Sequence, residues 1–310
     1  MGRGAGNATT ELVAGYLNKS LNRGYDLNSI MDAIDMYIKA IHDRFSWGYS
    51  TEYFISGLYQ CHVNNISYLN YNHRINARDL RSIIESLSVE ERRKYDYDVL
   101  EQKYIENQSR FVDDSETVEK LRSLISGRKV LLIAPGKSSL DQFDMINEFI
   151  DSNSPVVIGV NSINKIYDPD YIFVSNSVRY DYARTTYPKT FENTKRIILS
   201  NIHTVPDDNE YVINYNLVIQ RGWDHYDNAV ILALRLLSRL SVKDVYIAGF
   251  DGFKEDYDDS YADRSLPNLN PENKWVELNN EIRSMFKELS DSLKGRMNIS
   301  FLTSSIYEDK

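Results

Sequence analysis

The chain has 310 residues, of which 42% are hydrophobic and 26% are charged, and its formal net charge at pH 7 is -9. This acidic balance excludes a generally basic surface, and with it non-specific binding to nucleic acid or to anionic membranes. Cys61 is the only cysteine, so no intrachain disulfide can form, and no apolar run approaches the roughly 20 residues of a membrane span. We therefore expect a soluble, cytoplasmic protein of about two domains, without a membrane span.

The first part of the chain, residues 1–107, is predicted to be helical, because its apolar residues recur at a helical period. The segment 76–87 carries apolar side chains every three or four positions, and the sequence Ser88-Val-Glu-Glu then matches a capping box. Residues 108–127 are polar and end in a helical pattern. We interpret them as a linker between two domains.

From residue 128 onward, short continuous apolar runs alternate with helical segments. The runs are VLLIAPG (130–136), VVIGVN (156–161), YIFVSN (171–176), RIILSN (196–201), EYVINYN (210–216), DVYIAGFD (244–251) and ISFLTSS (299–305). Continuous apolar runs of this length are typical of buried parallel strands. The sequence therefore predicts an α/β protein, in which a helical N-terminal segment precedes a Rossmann-like, mostly parallel sheet domain over residues 128–310.

The first run ends in APGKSSL, which predicts a tight turn at Gly136 followed by a helix. A helix N-terminus offers unpaired N–H donors and partial positive charge, which suit a phosphate or a carboxylate. The spacing matches neither a Walker loop nor a dinucleotide fingerprint. Two interpretations follow: Gly136, Ser138 and Ser139 bind a nucleotide, or they form an ordinary β–α turn with a serine cap.

An asparagine ends each of the next three runs: Asn161, Asn176 and Asn201. The carboxyl ends of parallel strands meet at one edge of the sheet, where ligands of such folds bind. A single asparagine there is usually a turn residue, but three at successive strand ends favour a polar cleft that contacts a base or a sugar. We assign Asn161 and Asn176 to the nucleotide site.

Two residues are candidates for catalysis. Asp251 follows the sixth run, where a carboxylate can accept a hydrogen bond from a sugar hydroxyl, hold a metal, or only cap a turn. His225 precedes a predicted helix, where it can act as a general base or a phosphate contact, or lie in an exposed loop. The acidic segment 256–265 that follows Asp251 is predicted to be a solvated loop.

Over residues 129–307, the order of these motifs resembles the bacterial sialyltransferases that use CMP-sialic acid, and related domains of surface-polysaccharide loci. The matching segments are APGKSSL, VNSI, NAVILALRLLSRL, YIAGFDGF, SYAD and FLTSSIYE. The resemblance implies a nucleotide-sugar cleft with Gly136, Ser138, Ser139 and Asn161 near the nucleotide. One stretch departs from the family, because NLNPENKWVELNNE contains no histidine where the family has its catalytic one.

The opening GRGAGNATTEL is similar to a glycine-rich segment late in the barrel of the DRE-TIM metallolyases, which include HMG-CoA lyase-like and 4-hydroxy-2-oxovalerate aldolase-like enzymes. The positions that match this segment and a later one in the helical tail are Gly2, Gly4, Gly6, Asn7, Glu11, His62 and Asn64. The resemblance implies that residues 1–107 are the C-terminal part of such an aldolase, with Asn7 as a ligand of a divalent metal, Mn²⁺ or Mg²⁺. The family's His-x-His pair is absent from the sequence, so we expect the chain alone to lack aldolase activity.

Together these patterns predict the C-terminal part of an HMG-CoA lyase-like aldolase, which cleaves or forms a C–C bond of a 2-oxo acid, with an appended nucleotide- or nucleotide-sugar-binding domain. The expected context is surface-polysaccharide biosynthesis on a small-molecule substrate. Two alternatives remain open. One is a sialyltransferase-like glycosyltransferase. The other is a non-catalytic docking module, whose partner is an aldolase barrel chain or a second copy of this chain.

Overall fold

A computed structural model describes residues 9–44, 48, 50–73, 75–163, 166–223, 228–270 and 273–308. The chain divides into two compact units, a helical unit (Met1–Tyr104) and an α/β unit (Ile105–Lys310). Two predicted site residues, Asn7 and His225, lie outside the described residues, and their assignments stay predictions.

The described residues of the helical unit form helices and turns. The helices are α1 (Thr10–Leu21), α2 (Leu27–Ala33), a π-helical turn (Ile34–Ile38) that leads into α3 (Lys39–His42), α4 (Thr51–Leu58), α5 (Val63–His73), α6 (Ala77–Ser86), α7 (Val89–Arg93) and α8 (Tyr97–Gln108), which ends beyond the unit boundary. A small core of buried aliphatic side chains, including Leu69 and Ile83, joins α4 to α8. The predicted capping box at Ser88 is confirmed, since its hydroxyl and the Glu91 carboxylate each accept the other residue's N–H.

The α/β unit contains a sheet of seven parallel strands. The strands are β1 (Val130–Ile133), β2 (Val156–Val160), β3 (Tyr171–Val174), β4 (Lys195–Leu199), β5 (Glu210–Ile213), β6 (Asp244–Ala248) and β7 (Asn298–Phe301). The helices are α9 (Ser115–Ile125), α10 (Ser138–Asp141), α11 (Phe143–Asn153), α12 (Ser177–Thr186), α13 (Pro188–Asn193), α14 (Ala229–Arg239) and α15 (Trp275–Leu293). The predicted α/β fold class is thus confirmed. No described helix combines the length and the apolar content that a membrane crossing requires.

The segment that we interpreted as a linker, residues 108–127, is part of the α/β unit. Its helix α9 buries Val118, Leu121 and Ile125 in the main core. Just before α9, the Asp114 carboxylate accepts two hydrogen bonds from the Arg239 guanidinium at the end of α14. The apolar stripe of α9 occupies one face of an otherwise polar helix, which is why composition alone suggested a linker.

The order of the strands identifies the point at which sheets of this kind bind their ligands. Across the sheet the order is β5-β4-β3-β2-β1-β6-β7. The strands β2 to β5 follow one another on one side of β1, and β6 and β7 lie on the other side of β1. The point of reversal therefore lies between β1 and β6. In parallel α/β sheets, the crevice for ligands forms at such a point, outside the carboxyl ends of the strands.

Candidate functional site

The turns that follow β1 and β6 touch each other at the point of reversal. The Gly136 N–H donates to the carbonyl oxygen of Gly249 at 2.8 Å. A Cβ atom on Gly136 would lie 2.2 Å from that oxygen, and one on Gly249, whose φ is +73°, would lie 2.2 Å from the carbonyl oxygen of Ala134. Both positions therefore require glycine, which lets the two backbones approach this closely.

A carboxylate of the chain itself occupies the N-terminus of α10. The Ser138 N–H donates to Asp251 Oδ2 at 2.7 Å, and the Ser138 hydroxyl donates to Asp251 Oδ1. The hydroxyl oxygen of Thr303, after β7, lies 2.8 Å from Ser138 Oγ and accepts the Gly249 N–H at 2.9 Å. Two donors of the turn that was predicted to bind an anion, the N–H and the hydroxyl of Ser138, are thus bound to Asp251 in the structure.

Burial raises the pKa of Asp251, and the two hydrogen bonds from Ser138 act in the opposite direction. A carboxyl group whose pKa is raised exchanges a proton closer to neutral pH than an exposed aspartate does, which suits an acid or a base. Asp251 is therefore a buried carboxyl group with a raised pKa, and both of its oxygens have hydrogen-bond partners on Ser138. Its predicted catalytic role stays a prediction.

The remaining donors of the β1 turn also have partners within the chain. The Ser139 hydroxyl donates to the carbonyl oxygen of Gly136 at 2.7 Å, and the Tyr167 hydroxyl donates to the carbonyl oxygen of Ser139. The Lys137 N–H donates to the carbonyl oxygen of Ser260 at 3.2 Å. A nucleotide that bound to Gly136, Ser138 and Ser139 would have to replace some of these contacts, and binding there stays a prediction.

The structure places the three asparagines at one edge of the sheet, where each joins neighbouring segments. Asn161, in the left-handed conformation at φ +54°, accepts the Ser175 N–H at 2.8 Å and donates to Ser175 Oγ at 2.9 Å. Asn176 caps α12 by accepting the Arg179 N–H at 2.9 Å. Asn201 donates to the side chain of Gln108 and to the carbonyl oxygen of Ser175, both at 3.1 Å. The polar edge exists, and its role as a base or sugar cleft stays a prediction.

The acidic segment 256–265, called the strap from here on, is not a solvated loop. Its backbone pairs with the β1 turn, since the Ala262 N–H donates to the carbonyl oxygen of Pro135 at 2.9 Å. Its Asp263 carboxylate accepts hydrogen bonds from the hydroxyls of Tyr182 and Tyr187, at 2.9 and 2.7 Å. The buried rings of Tyr257 and Tyr261 anchor the strap further. Its acidic composition had indicated a solvent-exposed loop instead. The strap thus runs from the end of β6 across the carboxyl edge to α12.

Sequence reasoning missed the buried cation beneath this strap. Arg179, in the first turn of α12, is only 5% exposed, and its Nη2 lies 3.5 Å from the hydroxyl oxygen of Tyr261. Its guanidinium carbon is 5.4 Å from the centre of the Tyr261 ring. The available signal was a basic residue directly after a strand end, at the start of a helix where a positive charge is unfavourable.

The described parts of the chain contain no group of three or more His, Cys, Asp or Glu side chains arranged to hold a metal ion. Asn7 is outside those parts. The divalent metal implied by the aldolase resemblance therefore stays an expectation from sequence.

In comparisons with known proteins, no family model matches the chain, and no curated protein matches it either. Both resemblances, to the DRE-TIM metallolyases and to the sialyltransferases, therefore remain expectations that rest on their short motifs. The sheet topology and the contacts at its carboxyl edge are the observations from which function can be argued.

Proposed function

We propose that the α/β unit binds a nucleotide or a nucleotide-linked sugar at the carboxyl edge of its sheet. The observation that carries this proposal is the reversal of strand order between β1 and β6 in a sheet of seven parallel strands. The helices on such a sheet leave a crevice at this point, and nucleotides are frequent ligands there.

Two further features support the proposal. Polar side chains follow β2 and β3 at this edge, where Asn161 and Asn176 carry the amide groups that can contact a base or a sugar. The strap covers the edge next to β1 and β6, which can shield a bound ligand from water. Together they would give a bound nucleotide polar contacts and a cover.

The experiment is a thermal-shift screen of the purified chain against CMP, CDP, UDP, GDP, ADP and their sugar conjugates, with and without Mn²⁺. A ligand at about 100 times its Kd adds about 2.7 kcal/mol of stability, which is an easily measured shift. The Gly127→Ala variant serves as a control. Its substitution lies just before β1, at the amino ends of the strands and away from the proposed site, so it should keep the ligand-induced shift in unfolding temperature. If no compound of the panel shifts the unfolding temperature, the proposal is contradicted.

Glycosyl transfer is the second candidate, and the environment of Asp251 favours it. When ionised, the buried Asp251 carboxylate, whose pKa is raised, can accept the proton of a sugar hydroxyl as that oxygen bonds to the anomeric carbon of a nucleotide sugar and the nucleotide leaves. Cleavage of CMP- or UDP-sugars should then be lost in Asp251→Asn while the nucleotide still binds. Unchanged cleavage in a folded Asp251→Asn variant would remove Asp251 from the reaction.

For residues 1–107 we also propose a role with an HMG-CoA lyase-like aldolase, in surface-polysaccharide synthesis in the cytoplasm. This proposal is supported by the resemblance of the glycine-rich opening, which includes Asn7 as a metal ligand, and of the later segment with His62 and Asn64. The polysaccharide context comes from the second resemblance, over residues 129–307. It is tested by adding a barrel-bearing aldolase chain and measuring complex formation together with Mn²⁺-dependent pyruvate release. Absence of both would contradict it.

A further inference from the structure

The α/β unit contains two buried arginines whose surroundings differ sharply. Arg196 on β4 is fully buried, and its Nε and Nη2 donate to Glu210 and Asp207 at 3.1 and 2.5 Å. Its Nη1 donates to the backbone carbonyl oxygens of Phe191 and Thr194. Each of its side-chain nitrogens therefore has a partner, and two of these partners are carboxylates.

Arg179 is buried to almost the same degree and lacks such partners. Within the described ranges, its Nη1 has no hydrogen-bond partner, and no carboxylate lies within ion-pair distance of the guanidinium. The strap carboxylate that acts electrostatically on Arg179, Asp263, accepts its hydrogen bonds from Tyr182, Tyr187 and Ser265. The 3.5 Å contact with the Tyr261 hydroxyl is at the limit of a hydrogen bond.

A buried guanidinium without a counter-charge destabilises the fold, because its desolvation is not offset by an ion pair. Burial lowers the pKa of Arg179, against the effects of Tyr261, Tyr182 and Asp263, yet an arginine remains protonated in proteins. The contact with the Tyr261 ring supplies only a cation–π attraction. The site therefore holds a positive charge that no ion pair with the described residues compensates.

The position of Arg179 makes this charge available to a ligand. It lies at the start of α12, a helix of 10 residues whose N-terminal dipole adds positive potential. Tyr261, which covers it, forms a backbone bridge with Gly136 in the turn after β1. This charge thus lies at the carboxyl edge, between the end of β3 and the β1 turn.

We propose that Arg179 is an anion-binding residue, whose guanidinium receives a phosphate or carboxylate group of the ligand beneath the strap. This inference deepens the proposed function, on which it rests for the identity of the whole ligand. A guanidinium binds such groups through two parallel N–H donors. Entry requires Tyr261 to move from the guanidinium. This movement would give up the weak 3.5 Å contact with Arg179 and the 2.9 Å hydrogen bond that the Tyr261 hydroxyl accepts from Asn270.

The test uses inorganic pyrophosphate and malonate as probes of the two anion classes, with calorimetric titration and thermal unfolding of the full chain. The variants are Arg179→Met and Arg179→Lys, with Arg196→Met as the matched control for a buried arginine. We expect one probe to bind the wild type, and Arg179→Met to weaken that binding about 30-fold or more. Without the probe, Arg179→Met should unfold at the same or a higher temperature, whereas Arg196→Met should unfold at a much lower one.

The outcomes separate this inference from the nucleotide proposal. Probe binding that depends on Arg179, without any nucleotide hit, supports the anion site and contradicts the nucleotide. Nucleotide binding at unchanged affinity in Arg179→Met, or no binding of either probe to the wild type, overturns the anion site. Equal destabilisation by Arg179→Met and Arg196→Met, with probe affinity unchanged, also overturns it. If Arg179→Met does not fold, Arg179→Lys decides, because it keeps the charge but loses the paired donors and should still bind the probe more weakly.

Discussion

Ser138 and Asp251 lie 113 positions apart in the chain and are joined by two hydrogen bonds, one from the backbone N–H and one from the hydroxyl of the serine. The pair connects the turn after β1 to the turn after β6, where the strand order reverses. A helix N-terminus that could attract a ligand anion is thereby used to hold two strand ends together.

Ser138→Ala should lower the free energy of unfolding of the α/β unit by about 1.5–3 kcal/mol, the range for a hydrogen bond to a charged group. Urea unfolding can be followed by the fluorescence of Trp223 and Trp275, which pack against the core of this unit. The control is Ser123→Ala on the exposed face of α9, which should change stability by about 0.5 kcal/mol or less. Equal effects of the two changes would contradict a structural role for Ser138.

Gly136→Ala should destabilise the α/β unit by about 3 kcal/mol, because the added Cβ would lie 2.2 Å from a backbone oxygen that cannot move independently. Gly127→Ala is the matched control, since a Cβ there meets nothing within 4 Å. The same urea experiment measures both. A stable Gly136→Ala variant would mean that the β1 and β6 turns separate easily.

Asp114 should make the stability of the α/β unit depend on pH in the acid range. Burial raises the pKa of this carboxyl, but the hydrogen bonds from Arg239 and from the Asn214 N–H outweigh it, so the folded pKa lies below the ordinary value of an aspartate. A lowered folded pKa gives a contribution that is complete above the unfolded pKa and is lost as the pH falls through the folded one.

We therefore expect Asp114→Asn to cost about 2 kcal/mol at pH 7, and the difference from wild type to shrink as the pH falls below about 4. Urea unfolding at a series of pH values between 7 and about 2.5 measures this difference. A difference that stays constant down to the lowest pH would show that the Asp114 charge does not matter.

Asn161 allows its conformation and its hydrogen bonds to be tested separately. Asn161→Gly keeps the left-handed backbone and loses the two contacts with Ser175, at a cost of about 1–3 kcal/mol. Asn161→Ala loses the same contacts and should cost about 1 kcal/mol more, because alanine is strained at φ +54°. If both variants also abolish the nucleotide shift, Asn161 contributes to binding as well as to the sheet edge.

Patterns that depend on neighbouring residues could be predicted from sequence. Each of the seven apolar runs coincides with a strand to within one residue at its start, and the capping box at Ser88 is present as its four residues indicated. A strand or a cap is encoded within a few positions, so its signal survives without knowledge of the fold.

Features that depend on distant contacts could not be predicted. A basic residue at the start of a helix is unusual, but it does not by itself indicate burial, because the cover of Arg179, Tyr261, lies 82 positions later. The strap has an acidic composition typical of exposed loops, and only its pairing with Pro135 and α12 reveals its course. The sequence therefore predicted where the candidate site lies, at the ends of the strands, but it did not indicate the buried side chain of Arg179.

The place of β1 in the sheet has a consequence for the order of folding. Its partner β2 follows within a few tens of residues, but its other neighbour, β6, begins at Asp244. During synthesis, one side of β1 must stay unpaired until more than a hundred further residues have been made, and such late, non-local pairing is slow. We expect the helical unit of the ribosome-bound chain to fold early. The incomplete sheet should expose the unpaired edge of β1 to chaperones until β6 has been synthesised.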